Sequence, residues 1–512
     1  MGGSAFAVGD NPLHTPRMSP SVYRAVRERC SHILRQVFVI VATPIEAPAK
    51  KDFGDIDIFL AWERDEIFPC SAPAMPSPSY DETSQKGTGD GGNNVRSKGS
   101  SSSSNSDALL EKAIRLLGAV RSKQEQPGVA SVAIPWPEDL LPAAAAADSN
   151  DSDSDSDKKN RPSPPRLHIQ VDLHVCSSLP DLQWMLFKHT HGDLWNMLGS
   201  TIRPFGLTVN EAGLWVRVPE IEACDRNRAR VLATRDPGET LRFLGLAQAA
   251  RQWEQPFASA DALFEYAATC RLFWVRPAED ADADADAVDI TTTTTGDRRT
   301  LKANDRRRMR QRPMFRAWVD EFLPRCRASG RFSATTTTTR EQVRDEAFAR
   351  FPGLRCAYAA RLREWRVERQ RLHLWRDVIK AALPPASADN SQTKTDTSGI
   401  SVHYRGVAAA ALKKLILSGD DDAGDLDLDL DRSVVQEARA KLKNPDGTFD
   451  EDAVRAWVRA HWREVGDAAW AASQRRYAEK VAARKEKEKE KGQGQGGEGD
   501  KGESKGGGVR GS

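Results

Sequence analysis

Between residues 19 and 37 apolar positions recur at helical spacing, with Val22, Val26, Cys30, Ile33, Leu34 and Val37 on one stripe behind a Ser19-Pro20 start. That pattern predicts an amphipathic helix. The short apolar patch from Phe38 to Val41 reads as a strand. Residues 53–62 (FGDIDIFLAW) alternate in part and are rich in β-forming types, and 166–176 (RLHIQVDLHVC) alternate throughout; both predict strands. Between them, 107–123 places Leu109, Leu110, Ala113, Leu116, Leu117 and Val120 on one helical face, and 129–134 (VASVAI) reads as a strand ending at Pro135. Further on, 194–202 and 259–274 read as helices, and helical spacing returns at about 341–376 and over 434–484. Strands and helices therefore mix within one region, which predicts an α+β fold.

Two stretches lack any apolar period. Residues 71–106 are rich in Ser, Gly and Asn, and 143–164 carry a DSNDSDSDSD core. Such composition cannot bury a core, so both are expected to be long disordered loops. An Asp-Ala repeat and a Thr run mark a linker at 279–297. The organisation that follows is a first domain at 1–180, a compact extension at 181–278, a basic helical module at 298–384, a linker at 385–433, a helical segment at 434–484, and a Lys/Glu/Gly tail at 485–512.

Composition changes this picture in one respect. The chain of 512 residues has a net charge of only +2, yet residues 298–380 hold 23 Lys and Arg against 9 Asp and Glu. Arginines alternate with Trp365 and Trp375 in that stretch. Arginine supplies phosphate contacts and aromatic rings can stack on bases, so DNA or RNA is the partner expected there. A solvated helical face with its Trp residues in a core fits the same pattern. The 298–312 cluster also resembles a nuclear localisation signal. The seven scattered cysteines form no C-x-x-C pair, and no apolar run approaches membrane-spanning length. An intracellular, non-membrane protein, nuclear or cytoplasmic, is the expectation.

The sharpest chemical feature is Gly54-Asp55-Ile56-Asp57-Ile58-Phe59. On a strand, positions i and i+2 share a face, so Asp55 and Asp57 point the same way while Ile56 and Ile58 serve packing. Asp172 lies mid-strand in an equally apolar frame of Ile169, Val171, Leu173 and Val175. Carboxylates gathered on one face repel, and a hard divalent cation relieves the repulsion. Three acidic ligands suit two-metal phosphoryl transfer. Taken alone, Asp-x-Asp equally fits a polar strand edge.

In motif and order these residues resemble the DNA polymerase beta-like nucleotidyltransferase superfamily, in particular the palm and palm–thumb region of family X DNA polymerases. GDIDIF at 54–59, a helix, a strand, and VDLHV at 171–175 follow the family's sequence of elements. His191-Gly192-Asp193, the 194–202 helix and Gly206-Leu207-Thr208-Val209-Asn210-Glu211 are similar to its passage from palm to thumb. The resemblance implies a mixed sheet flanked by helices, a thumb-like α/β extension, and two Mg²⁺ (or Mn²⁺) ions on Asp55, Asp57 and Asp172. It implies nucleotide contacts from Gly3, Ser4, Gly54, His191 and Gly192. His189 reads as structural, because His-x-His without a third ligand is thin support for zinc, and Asn210-Glu211 reads as a turn.

The chain departs from the family pattern in three ways. Gly2-Gly3-Ser4 is the candidate phosphate-holding turn, yet it lies far from Asp55, and a plain flexible terminus fits it as well. Ala5-Phe6 replaces the basic residue often found after that turn. No helix-hairpin-helix motif precedes the palm region. Lys50 and Lys51 stand just before the aspartates, either as phosphate-facing charges or as solvated loop residues. The expected activity is transfer of a nucleoside monophosphate from a nucleoside triphosphate to a nucleic-acid 3′-hydroxyl. The alternatives are transfer to RNA or a small molecule, and a non-catalytic nucleic-acid-binding protein on the same scaffold.

Overall fold

Five strands form a mixed sheet in the order β1-β2-β5-β4-β3 in the computed structural model of the chain. It describes residues 3–9, 11–67, 101–141, 166–247, 250–275, 303–333, 338–386, 395–396, 399–417 and 430–493. The strands are β1 (Phe38–Ala42), β2 (Asp55–Glu63), β3 (Arg121–Gln126), β4 (Val129–Pro135) and β5 (His168–Val175). β2 and β5 run parallel side by side, and the other neighbours are antiparallel.

Alternation along the strands decides which face is the core. Ile56, Ile58 and Leu60 of β2 share a face with Val171 and Leu173 of β5, and all five are fully buried. Helix α1 (Pro20–Leu34) covers that face with Tyr23, Val26, Cys30 and Leu34, and helix α2 (Ser101–Leu116) adds Leu110 and Ala113. α1 starts where the sequence signals it. The Ser19 hydroxyl caps the helix by accepting from the Val22 N–H, and Pro20 occupies the first turn, where its missing N–H costs nothing. The opposite face carries Asp55, Asp57 and Phe59. Helix α3 (Leu179–His189) packs on the far end of it, against Phe59 and Ala61, through Leu182, Met185 and Leu186.

Helix α4 (Leu194–Ile202) leads into a second, three-stranded antiparallel sheet of β6 (Leu207–Asn210), β7 (Gly213–Arg217) and β8 (Arg230–Thr234). Helices α5 (Ala260–Ala268), α6 (Ala303–Gln311) and α7 (Arg340–Arg350) follow, and α8 (Leu354–His373) comes next. By contact the chain divides between Tyr358 and Ala359 into two compact units. The expected boundaries at 180, 278 and 298 are not where this division falls; it lies inside the basic stretch. The reason is that arginines upstream of 358 are tied into the first unit, as Arg312 is to Asp193 and Arg340 to Glu222. The second unit packs α9 (Val402–Leu417), α10 (Arg432–Lys441) and α11 (Glu451–Gln493) around Leu374, Val378, Leu412, Trp457 and Val458.

Three elements depart from the sequence reading. Residues 121–123, taken as the end of a helix, belong to strand β3; its sequence RSKQEQ has no apolar face, and it is an edge strand held by backbone pairing to β4. Helix α2 begins at Ser101, inside the stretch read as a loop, and the rest of 71–106 and all of 143–164 lie outside the described residues. Residues 402–417 fall in the expected linker yet form α9, whose Tyr404, Ala408, Leu412, Leu415 and Ile416 are buried. Apolar residues lie nearly all round that helix, so it has no amphipathic period to find. Residues 279–297 and those from 494 onward lie outside the described residues, while 485–493 continue α11. Among the described residues no helix is long and apolar enough to cross a membrane.

Candidate active site

Parallel pairing sets Asp57 directly beside Asp172, and Asp55 beside Gln170. Neighbouring positions in register share a sheet face, so the strand pairing itself brings Asp55, Asp57 and Asp172 to one patch. Each is partly buried and none is in the hydrophobic core. Burial and mutual repulsion act on them in the same direction. Asp57 is held well above the usual carboxylate range, first by burial and then by the charges of Asp55, Asp172 and Glu46. Burial also raises Asp55, opposed by Lys50 and Arg17. Asp172 is pushed up to about 6 by burial and Asp55, against hydrogen bonds from Gln170 and Ser131.

The supporting groups were not visible as such in the sequence. Gln170 is 4% exposed; its Nε2 donates to Asp172 Oδ1 at 2.9 Å, while its Oε1 accepts from the Ala5 N–H at 3.0 Å. Alternation does place Gln170 on the face of Asp172, and that was the available signal. Glu46, in the loop between β1 and β2, had none. It accepts from the Tyr23 hydroxyl at 2.5 Å and pairs with Lys50 at 2.8 Å. Lys50 thus meets a carboxylate of its own loop, with its ammonium 4.5 Å from the Phe53 ring centroid, and Lys51 is exposed.

Gly3 and Ser4 lie against the aspartate strand despite their distance in sequence. A Cβ on Gly3 would stand 2.4 Å from the Gly54 carbonyl oxygen, and its φ is +88°, so only glycine fits there. The Thr15 hydroxyl donates to the Gly3 carbonyl at 2.7 Å, and Met18 pairs antiparallel with Phe53. Ser4 is exposed beside this contact. Gly2 lies outside the described residues.

His191 is placed otherwise than a nucleotide contact requires. Its ring is fully buried between Trp253 and Phe257, with Nε2 2.7 Å from the Trp253 carbonyl oxygen. Burial lowers its pKa, so the imidazole is neutral and faces the interior. Its contribution is through the backbone: φ is +63°, and the N–H donates to the Ile45 carbonyl at 2.6 Å. Gly192 presses on Ala47, where a Cβ would come within 2.9 Å of the Ala47 Cβ. The 191–192 turn therefore buttresses the loop that carries Glu46. His189 stacks edge-on to Phe59 and lies near His174; burial holds the two at about 3 and about 4. Asn210 closes its turn by accepting from Ala212 N–H and Trp215 Nε1.

The donor set fits a hard divalent cation. It is all oxygen, it is charged, and no hydrogen bond or ion pair among the described residues holds the Asp55 or Asp57 carboxylate. The side chains are not drawn into a ligand arrangement beforehand: among the described residues no three His, Cys, Asp or Glu groups stand in metal-holding geometry. The sequence matches no family model and no curated protein.

Proposed function

We propose that the chain is a metal-dependent nucleotidyltransferase of the DNA polymerase beta type, its five-stranded sheet serving as the palm. The observation that supports this most is the in-register pairing of Asp57 with Asp172 beside Asp55, three carboxylates on one sheet face with no cationic side chain bonded to the first two among the described residues. Asp55, Asp57 and Asp172 would hold two Mg²⁺ or Mn²⁺ ions. Bound there, the ions would lower the pKa of an attacking hydroxyl and neutralise triphosphate charge. Gln170 and Ser131 fix the orientation of Asp172 by donating to it. Gly3 and Ser4 present an exposed turn beside Gly54, where backbone N–H groups and a hydroxyl can meet phosphate oxygens.

The experiment is incubation of the full chain with labelled nucleoside triphosphates, Mg²⁺ or Mn²⁺, and primed DNA, single-stranded DNA, RNA and small-molecule acceptors. Product on a nucleic-acid 3′ end that disappears in Asp57→Asn supports the reading. A second reading, a nucleic-acid-binding protein that keeps the sheet as a scaffold, is favoured by the absence of a preformed ligand group among the described residues. Nucleic-acid binding with no transfer to any acceptor would establish it.

A further inference from the structure

Helix α6 has an inward stripe made mostly of charge. Residues 305, 308 and 309 recur at i, i+3 and i+4, the spacing of one helix face, and Arg312 follows in extended backbone just past the helix end. Asp305 is 6% exposed and accepts from Arg203 at 2.9 Å and from Arg308 at 2.5 Å. Met309 is buried beside it, and Arg312 pairs with Asp193 at 2.7 Å. These contacts tie the helix to α4, whose preceding turn buttresses the β1–β2 loop next to the three aspartates.

The opposite stripe is Arg306, Arg307 and Arg310, all exposed. Among the described residues the ion pairs of this helix and of Arg312 just beyond it use Arg308 and Arg312 and leave these three guanidiniums unpaired. Elsewhere in the same unit Arg325, Arg331, Arg340 and Arg350 are matched with Asp261, Glu265, Glu222 and Glu239. Three like charges within about one helical turn repel, so the helix, anchored by its other face, carries a positive stripe without a compensating carboxylate among the described residues. Arg306 and Arg310 are separated by about 6 Å along the axis, a step at which successive phosphates of one strand can be met. No aromatic side chain lies on the stripe, so it offers charge without a stacking platform. That suits a duplex, whose bases stay stacked inside, better than a single strand.

We propose that Arg306, Arg307 and Arg310 form a phosphate-contacting stripe for duplex DNA on the first unit. Presentation of the duplex's primer end to the aspartates would rest on the nucleotidyl-transfer reading; the binding itself does not.

The test uses the full chain with EDTA and no nucleotide, and a fluorescein-labelled duplex DNA followed by anisotropy across a salt series. Arg306→Gln/Arg307→Gln/Arg310→Gln should weaken binding by roughly tenfold to a hundredfold at low salt. It should also reduce the slope of log affinity against log salt by about 2–3, near 0.9 per lost phosphate contact. The matching Arg→Lys triple should bind within a few-fold of the wild type. An unchanged slope in the Gln triple overturns the proposal, as does an equal loss in the Lys triple, which would mark a structural role. Loss confined to duplex RNA or single-stranded DNA overturns it too, as does a slope change seen only in Arg363→Gln/Arg369→Gln/Arg376→Gln of the second unit. Because no metal or nucleotide is present, failure here is distinct from failure of the transfer assay.

Discussion

Replacing Asp172 with Asn should stabilise the metal-free protein, and the amount can be worked from the site. In the folded chain burial and the Asp55 charge push the Asp172 carboxyl up to about 6 from the usual aspartate value of about 3.9, and one unit corresponds to about 1.4 kcal/mol between protonation states. The ceiling is therefore about 3 kcal/mol at pH 7.5, and relaxation of the site brings the expectation to about 1–3 kcal/mol. Asn keeps an oxygen to accept from Gln170 and Ser131, so little is lost in exchange. For a unit of this size the gain is a rise of roughly 2–6 °C in melting temperature. A raised carboxylate pKa means that the folded state binds its proton more readily than the unfolded chain. The wild type should thus gain stability as pH falls from about 6 to about 4, and the advantage of Asp172→Asn should shrink over that window. Thermal melts in EDTA at a series of pH values read this directly, and Mg²⁺ or Mn²⁺ added at pH 7.5 should raise the wild type more than the variant. Equal or lower melting of the variant at pH 7.5, or a gain that persists at pH 4, would refute the account of three repelling carboxylates.

Asp57→Asn should cut nucleotidyl transfer by at least about a hundredfold under the proposed mechanism, with DNA affinity in EDTA unchanged; an assay retaining wild-type turnover would dismiss the aspartates as the site. Gly3→Val forces a side chain into the Gly54 carbonyl at a positive φ. It should cost about 1–3 kcal/mol or release the N-terminal segment, which limited proteolysis would detect. Ile58→Ala empties a fully buried position and should lower unfolding free energy by about 2–5 kcal/mol in a denaturant titration. Asp305→Ala leaves Arg203 and Arg308 without their shared acceptor. It should cost about 1–3 kcal/mol, as loss of a charged acceptor shared by two part-buried guanidiniums does; loss below about 0.5 kcal/mol would show that α6 is held by other contacts.

The local patterns were legible because each follows from a short-range rule. Ser19-Pro20 marks the start of α1, period-two alternation marks β2 and β5, and the same alternation says that Asp55 and Asp57 share a face. β3 was not legible, since RSKQEQ has no apolar side to bury and depends on its partner strand. Nor was α9, whose exposed stripe carries Val402, Gly406 and Ala410 instead of charged residues, so its sequence shows little amphipathic period. The positions of the chemistry along the chain were a property of sequence, but their meeting was not. That β2 and β5 are parallel neighbours, with Asp57 opposite Asp172, depends on strands more than 100 residues apart in sequence pairing in one register. The approach of Gly3 to Gly54, the enclosure of His191 among aromatic rings, and the division of the arginines into paired and exposed stripes arise likewise from contacts distant in sequence. Periodicity constrains which face a side chain takes; only the packed chain decides what stands opposite it.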